Sequence, residues 1–244
     1  MTKVSKAKRI DHQNAFVLTS YPWRESSLWV EVYSQDHGRV PVLARSARKP
    51  QSALRGVIMP FAPLTLSWFG QNELRTLHTA QWQGGWPQPQ GAALMSGFYV
   101  NELMLKLTMR DDPNPVLYQA LATVLQAICQ QKRLAEALRL FEWALLTALG
   151  VAPDIGQDDA GQIIEADAYY VMQPESNPKR WGNELIRPHQ LLVEGHSLLA
   201  LAEGKLTSTQ SLQDVLLLNR MLLAFRLPEG LHSRHIMAQL HSLK

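Results

Sequence analysis

Two hydrophobic periods divide the chain. Between residues 14 and 83, apolar side chains come in short runs or alternate with polar ones, the pattern of strands. Ala15-Phe16-Val17-Leu18 is a run closed by Tyr21-Pro22. Residues 28–33 alternate, with Leu28, Val30 and Val32 on one face and Trp29, Glu31 and Tyr33 on the other. Asp36-His37-Gly38 supplies a turn, and residues 39–44 start the next strand with Val40, Val42 and Ala44 in phase. A long basic segment follows over residues 45–56. Two further strands are expected over 63–69 and 73–81, split by Gly70-Gln71-Asn72. Five short strands with one long loop after the third predict a small closed barrel, because closure removes the exposed edges of so short a sheet.

Gly84-Gly85 and Pro87-Gln88-Pro89 read as a linker, and beyond it the period becomes helical. Residues 92–110 are apolar on more than one face, which implies burial in a bundle. Pro113 and Pro115 precede a second helix with Leu117, Leu121, Val124 and Ile128 on one stripe. A third spans residues 134–149 and ends at Gly150, with Pro153 beyond. Residues 154–184 are irregular and polar, with a short strand pair expected around Ile163 and Tyr169-Tyr170-Val171. Helices are expected near 188–202, 208–226 and 231–242. The fold class is α+β: a five-stranded barrel over residues 1–83, then a helical domain over 84–244 with an irregular insertion near 154–184.

Charge changes this picture more than composition does. The 244 residues carry a formal net charge of only +3. Residues 1–80 hold 11 lysines and arginines against 5 acids, residues 81–176 hold 5 against 11, and residues 177–244 hold 8 against 5. A basic first third beside an acidic middle suggests separate surfaces for separate partners. Cys129, the single cysteine, lies in an apolar run, so no internal disulfide and no thiolate zinc site is expected. The basic start of the chain has no apolar stretch behind it and no run approaches membrane-spanning length, so a soluble, cytoplasmic protein is expected.

No catalytic constellation is present: no Gly-rich phosphate loop, no GxSxG, no HExxH. His232, His235 and His241 have a spacing that could hold a metal but lack an acidic or thiolate partner, and an exposed helix face accounts for them better. Asp111-Asp112 and Asp158-Asp159 lie beside Pro or Gly and read as solvated turns. Neither an enzyme, nor a metal, nor a cofactor is expected. The positive signal is in the barrel. Arg39, Arg45, Arg48, Lys49, Arg55 and Arg75 cluster there, interspersed with Trp23, Trp29, Tyr33, Trp68 and Trp82. Small barrels bind single strands in this way, cations following phosphates and aromatic rings stacking on bases. A solvated loop is the alternative for the cations, and core packing for the rings.

The same stretches carry a resemblance. Ala15-Phe-Val-Leu18, Arg24-Glu-Ser-Ser-Leu28, Gly38-Arg-Val40, Ala44-Arg-Ser-Ala-Arg48 and Pro60-Phe-Ala-Pro-Leu64 occur in the order and spacing of the RecO family. So do Tyr99-Val-Asn-Glu-Leu103, Leu138-Arg-Leu-Phe-Glu142, Leu149-Gly150 and Leu231-His-Ser-Arg234. The resemblance implies an N-terminal OB-type barrel and a helical C-terminal domain without turnover. It implies a recombination mediator in DNA repair that binds single- and double-stranded DNA, anneals complementary strands and works with RecR to load RecA onto strands coated by single-strand-binding protein (SSB). Nucleoid association goes with that role. Many relatives carry a four-cysteine zinc site after the equivalent of Leu149-Gly150, and residues 151–163 here contain no cysteine. The resemblance also implies docking of the acidic SSB tail, whose terminal carboxylate suits an arginine beside an apolar groove. Arg139 is the candidate, with Lys132 and Arg133 adding longer-range attraction and Tyr99 and Leu103 lining the groove. Pairing of Arg139 with Glu136, Glu142 or a loop acid is the alternative. A protein-binding adaptor whose barrel never touches DNA is the competing reading of the whole.

Overall fold

A computed structural model describes residues 9–70 and 73–236. Five strands, β1 (Arg9–Trp23), β2 (Ser27–Ser34), β3 (Gly38–Ala44), β4 (Pro63–Phe69) and β5 (Arg75–Trp82), close in the order β1-β2-β3-β5-β4. Only the β3–β5 contact is parallel; the other barrel pairs are antiparallel. This is the five-stranded OB-type barrel. Its core comes from alternate positions: Ala15 and Val17, Val30 and Val32, Val40 and Val42, Leu64, Leu66, Trp68 and Leu77. β1 is long enough to serve both neighbours, its first half pairing with β4 and its second with β2. A bulge between Val17 and Thr19 interrupts the ladder to β2 just beyond this change of partner.

The chain divides into two compact units between Gln131 and Lys132. The barrel strands end at Trp82, and the first unit continues through α1 (Gly91–Leu107) and α2 (Pro115–Gln130) because both helices pack on the barrel. Asn101, 2% exposed, donates its side-chain amide to the carbonyls of Val17 at 3.2 Å and Leu18 at 2.9 Å, where the bulge disrupts the ladder. Phe61 meets Phe98 edge-on, and its carbonyl accepts the Cys129 thiol at 3.8 Å. Burial pushes that thiol's pKa up, so Cys129 is a core side chain. α2 starts on an Asn114 cap with Pro115 at its first turn, which accounts for the stop between the helices.

In the second unit, α3 (Leu134–Ala148) and α5 (Thr209–Arg226) share a core of Phe141, Leu145, Leu146, Val215, Leu218 and Leu222. The strand pair expected at Ile163 is formed elsewhere. β6 (Tyr169–Met172) pairs with β7 (Lys179–Arg180) and β8 (Leu191–Glu194), while Ile163, 75% exposed, makes only an isolated bridge to Gln157. The helix expected over 188–202 likewise begins only at Gly195, as α4 (Gly195–Ala202), because residues 191–194 are the apolar strand β8. Gly195 is required at that junction: a Cβ there would lie 1.9 Å from the Glu165 carbonyl oxygen. The expected helix over 231–242 is helical at 232–236, and its remainder lies outside the described residues.

Candidate nucleic-acid interface

The outer face of β1–β3 is set by register. Cross-strand partners lie on the same face, giving successive rows: Tyr33 with Arg39, Thr19 with Glu31 and Pro41, Tyr21 with Trp29 and Leu43, and Trp23 with Ser27. Arg45 follows Ala44, the partner of Leu28, and is exposed where the chain leaves β3. The two ends of this face differ. At the Tyr33 end, residues 108–114 lie across it. Asp111 donates its N–H to the Arg39 carbonyl at 3.0 Å, and Gly38, with φ +63°, lets the Asp112 carbonyl come where a Cβ would sit 2.2 Å away. Tyr118 and Trp86 cover Phe16. Burial pushes the Tyr33 and Tyr118 phenols up to about 12.

Glu31 anchors this covered end. Although it occupies an outward position, it is 4% exposed. It accepts the Trp29 indole N–H at 3.2 Å, pairs with Arg110, and lies 3.7 Å from Arg39. Arg39 is therefore held against an acid and is only partly exposed. Arg75 is the other strand arginine expected at the interface. It is buried, and it pairs with Asp111 at 2.5 Å. Arg75 thus fastens residues 108–114 to the barrel, Arg110 does the same from within that segment through Glu31, and Arg39 is held across the strands by Glu31. Asp111 is an exposed turn acid, as expected, and it also serves as the ion-pair partner of Arg75. Asp158, by contrast, is buried and accepts the N–H groups of Ala160 and Gln162.

At the other end the cations are free of such cover. Arg45, Arg48, Lys49 and Arg55 are all exposed. Their loop, residues 45–62, is a series of turns pinned by Ala47, Leu54, Val57 and Ile58, which pack on the barrel core. Apolar residues turned in at this spacing leave the cations outside. Arg48 ties the loop to the β1–β2 turn: its N–H donates to the Ser26 carbonyl at 2.9 Å, and its guanidinium reaches the carbonyls of Arg24 and Glu25. A cavity of about 360 Å³ is lined by Ser46, Lys49, Pro50, Gln51 and Ser52. The five ring candidates separate in the same way. Tyr33 and Trp68 are core, whereas Trp23 and Trp82 are exposed and Trp29 is half-buried.

The candidate tail-binding residues are not brought together in one unit. Tyr99 and Leu103 are buried on α1 in the first unit. Arg139, in the second, makes a bidentate pair with the buried Glu142 at 2.8 and 2.6 Å, and Asn219 donates to the same carboxylate. Lys132 and Arg133 are exposed at the start of α3, Arg133 pairing with Glu136. Among the described residues, no group of three or more His, Cys, Asp or Glu is placed to hold a metal, and no helix is long and apolar enough to cross a membrane. His241 lies outside the described residues.

Sequence reasoning passed over Tyr21 and Arg110. Tyr21 has the same parity as Ala15 and Val17 and reads as inward; the bulge reverses the phase, so Tyr21 and Trp23 face out. Arg110 reads as the end of a helix, and nothing local signals that it reaches Glu31.

Residues 9–86 match the family model described as recombination protein O N terminal, and residues 88–235 match its C-terminal counterpart. The chain belongs to the RecO family. The DNA repair protein RecO of Neisseria meningitidis serogroup B is 50% identical over 235 residues, covering 95% of this chain and 89% of that protein. That of Neisseria gonorrhoeae is 52% identical over 95% of each. That of Chromobacterium violaceum is 41% identical over 98% of this chain and 99% of its own. Membership of the RecO family supports a role in DNA repair and recombination.

Proposed function

We propose that this protein is a cytoplasmic, nucleoid-associated recombination mediator that binds single- and double-stranded DNA, anneals complementary strands and acts without turnover. With RecR, it helps RecA onto strands coated by SSB. The observation that carries the DNA-binding part is the loop of residues 45–62, which presents Arg45, Arg48, Lys49 and Arg55 outward while its apolar residues are anchored in an OB-type barrel. Clustered cations on one loop can replace the counterions of a phosphate backbone without regard to sequence, as annealing requires. The tail of SSB, in this reading, is attracted to the second unit by Lys132 and Arg133, with Arg139 reserved for Glu142 unless the tail carboxylate displaces it.

A salt titration tests the reading. Changing Arg45, Arg48 and Lys49 together to alanine lowers the log–log salt slope for single strands by up to about 2, at roughly 0.7 for each phosphate no longer neutralised. The fold stays intact, because exposed cations contribute little to stability. Binding that hardly responds to salt in the unaltered protein would indicate the protein-binding adaptor instead, and an unchanged slope in the variant would remove this loop from the site.

A further inference from the structure

Within the DNA-binding reading above, on which this inference rests, we propose that the outer face of β1–β2 carries a base-stacking platform. Tyr21 and Trp23 are its stacking rings, Trp29 its brace, and Arg110, paired with Glu31, the clamp on that brace. Tyr21 is 55% and Trp23 38% exposed, although large aromatic side chains of a small barrel have an interior available to them. Their exposure is imposed by the bulge, which turns both residues outward beside Trp29. Trp29 itself is fixed three ways. Its indole N–H is held by Glu31, its ring lies 5.4 Å from that of Trp23 at an interplanar angle of 51°, and the Arg110 guanidinium stands 6.0 Å from its centroid. A ring so clamped supports Trp23 in one orientation before any ligand arrives, which limits the ordering cost of stacking.

Charge complementarity selects the occupant. Arg45 is exposed where the chain leaves β3, and Ser46 beside it donates its N–H to the hydroxyl of Ser27, the cross-strand partner of Trp23. Arg24 and Glu25 are exposed on the adjoining turn, and Arg48 holds that turn in place. The acid under the platform, Glu31, is already shared between Arg39 and Arg110. Exposed π faces beside the exposed cations Arg24 and Arg45 suit unpaired bases joined by phosphates, and they offer nothing to a duplex whose bases are stacked on each other. The platform therefore adds a contact that only single strands can use, while the loop of residues 45–62 serves both forms of DNA.

Fluorescence anisotropy of the full chain with three labelled ligands separates these roles: oligo(dT), an abasic strand of equal length, and a duplex. Trp23→Ala lowers oligo(dT) affinity about tenfold and leaves the abasic strand, the duplex and the salt slope unchanged. Trp23→Phe restores most of the affinity. Arg45→Ala weakens oligo(dT) and abasic strand alike and lowers the salt slope by about 0.7. Circular dichroism of each variant confirms the fold. Oligo(dT) affinity unchanged by Trp23→Ala, or reduced equally for all three ligands, overturns the platform while leaving the DNA-binding reading standing. Absence of affinity for all three ligands in the unaltered protein overturns that reading itself.

Discussion

The two ends of the barrel's outer face are built from the same kinds of side chain and use them in opposite ways. Tyr33, Arg39 and the nearby Arg75 are sealed under residues 108–114, whereas Tyr21, Trp23 and Arg45 stand in solvent. Residue type does not set this difference. An acid within reach does: Glu31 and Asp111 hold the strand arginines in ion pairs, and among the described residues no ion pair holds the loop cations. Counting basic residues along a barrel therefore overstates the charge available to a ligand.

Removing the buried acid gives the largest effect. Glu31→Ala leaves Arg39 and Arg110 uncompensated and frees the Trp29 indole, so it costs about 4 kcal/mol, read as a loss of stability in urea. A cost below about 1 kcal/mol would break the contrast between the ends. The second unit repeats the contrast on one helix. Arg139→Ala strands Glu142, 1% exposed, and costs about 3 kcal/mol by the same urea measurement.

The sealed end also titrates. Tyr33 and Tyr118 have phenols at about 12 in the fold, against about 10 in an unfolded chain. Their contribution is complete below about pH 10 and is lost as pH rises through about 12, because the unfolded chain releases these protons first. For Tyr33 that is on the order of 2 kcal/mol, and Tyr33→Phe should flatten the alkaline decline measured by denaturant titration at several pH values. The smallest effect is expected at Arg133, whose side chain is 69% exposed and whose buried partner Glu136 keeps the Leu206 N–H at 3.1 Å. Arg133→Ala should cost about 1 kcal/mol by the same urea measurement.

The barrel was legible in the sequence because its inward residues alternate without interruption through β2 and β3, where Val30, Val32, Val40 and Val42 keep phase. Helices α1, α2 and α3 were legible from their helical apolar patterns and boundary signals, among them Pro115 at a start and Gly150 at a stop. What alternation could not express was a change of phase inside a strand, as at Leu18, or burial of an outward face by a distant segment, as at Glu31. The small sheet of β6–β8 was obscured for a related reason. Leu191-Leu192-Val193 is a short apolar run that suits helix and strand equally, and its partner strand, not its own pattern, decides between them.

Asn101 closes the gap in β1 from 84 residues downstream of Val17. On the ribosome the first strand must therefore wait: the five strands are already synthesised, yet the carbonyls at the bulge stay unmet until α1 has emerged. The shortest piece that gene fusion could transplant with its backbone satisfied is accordingly the barrel together with its two helices. A graft ending at residue 83 would carry an open seam wherever it was placed.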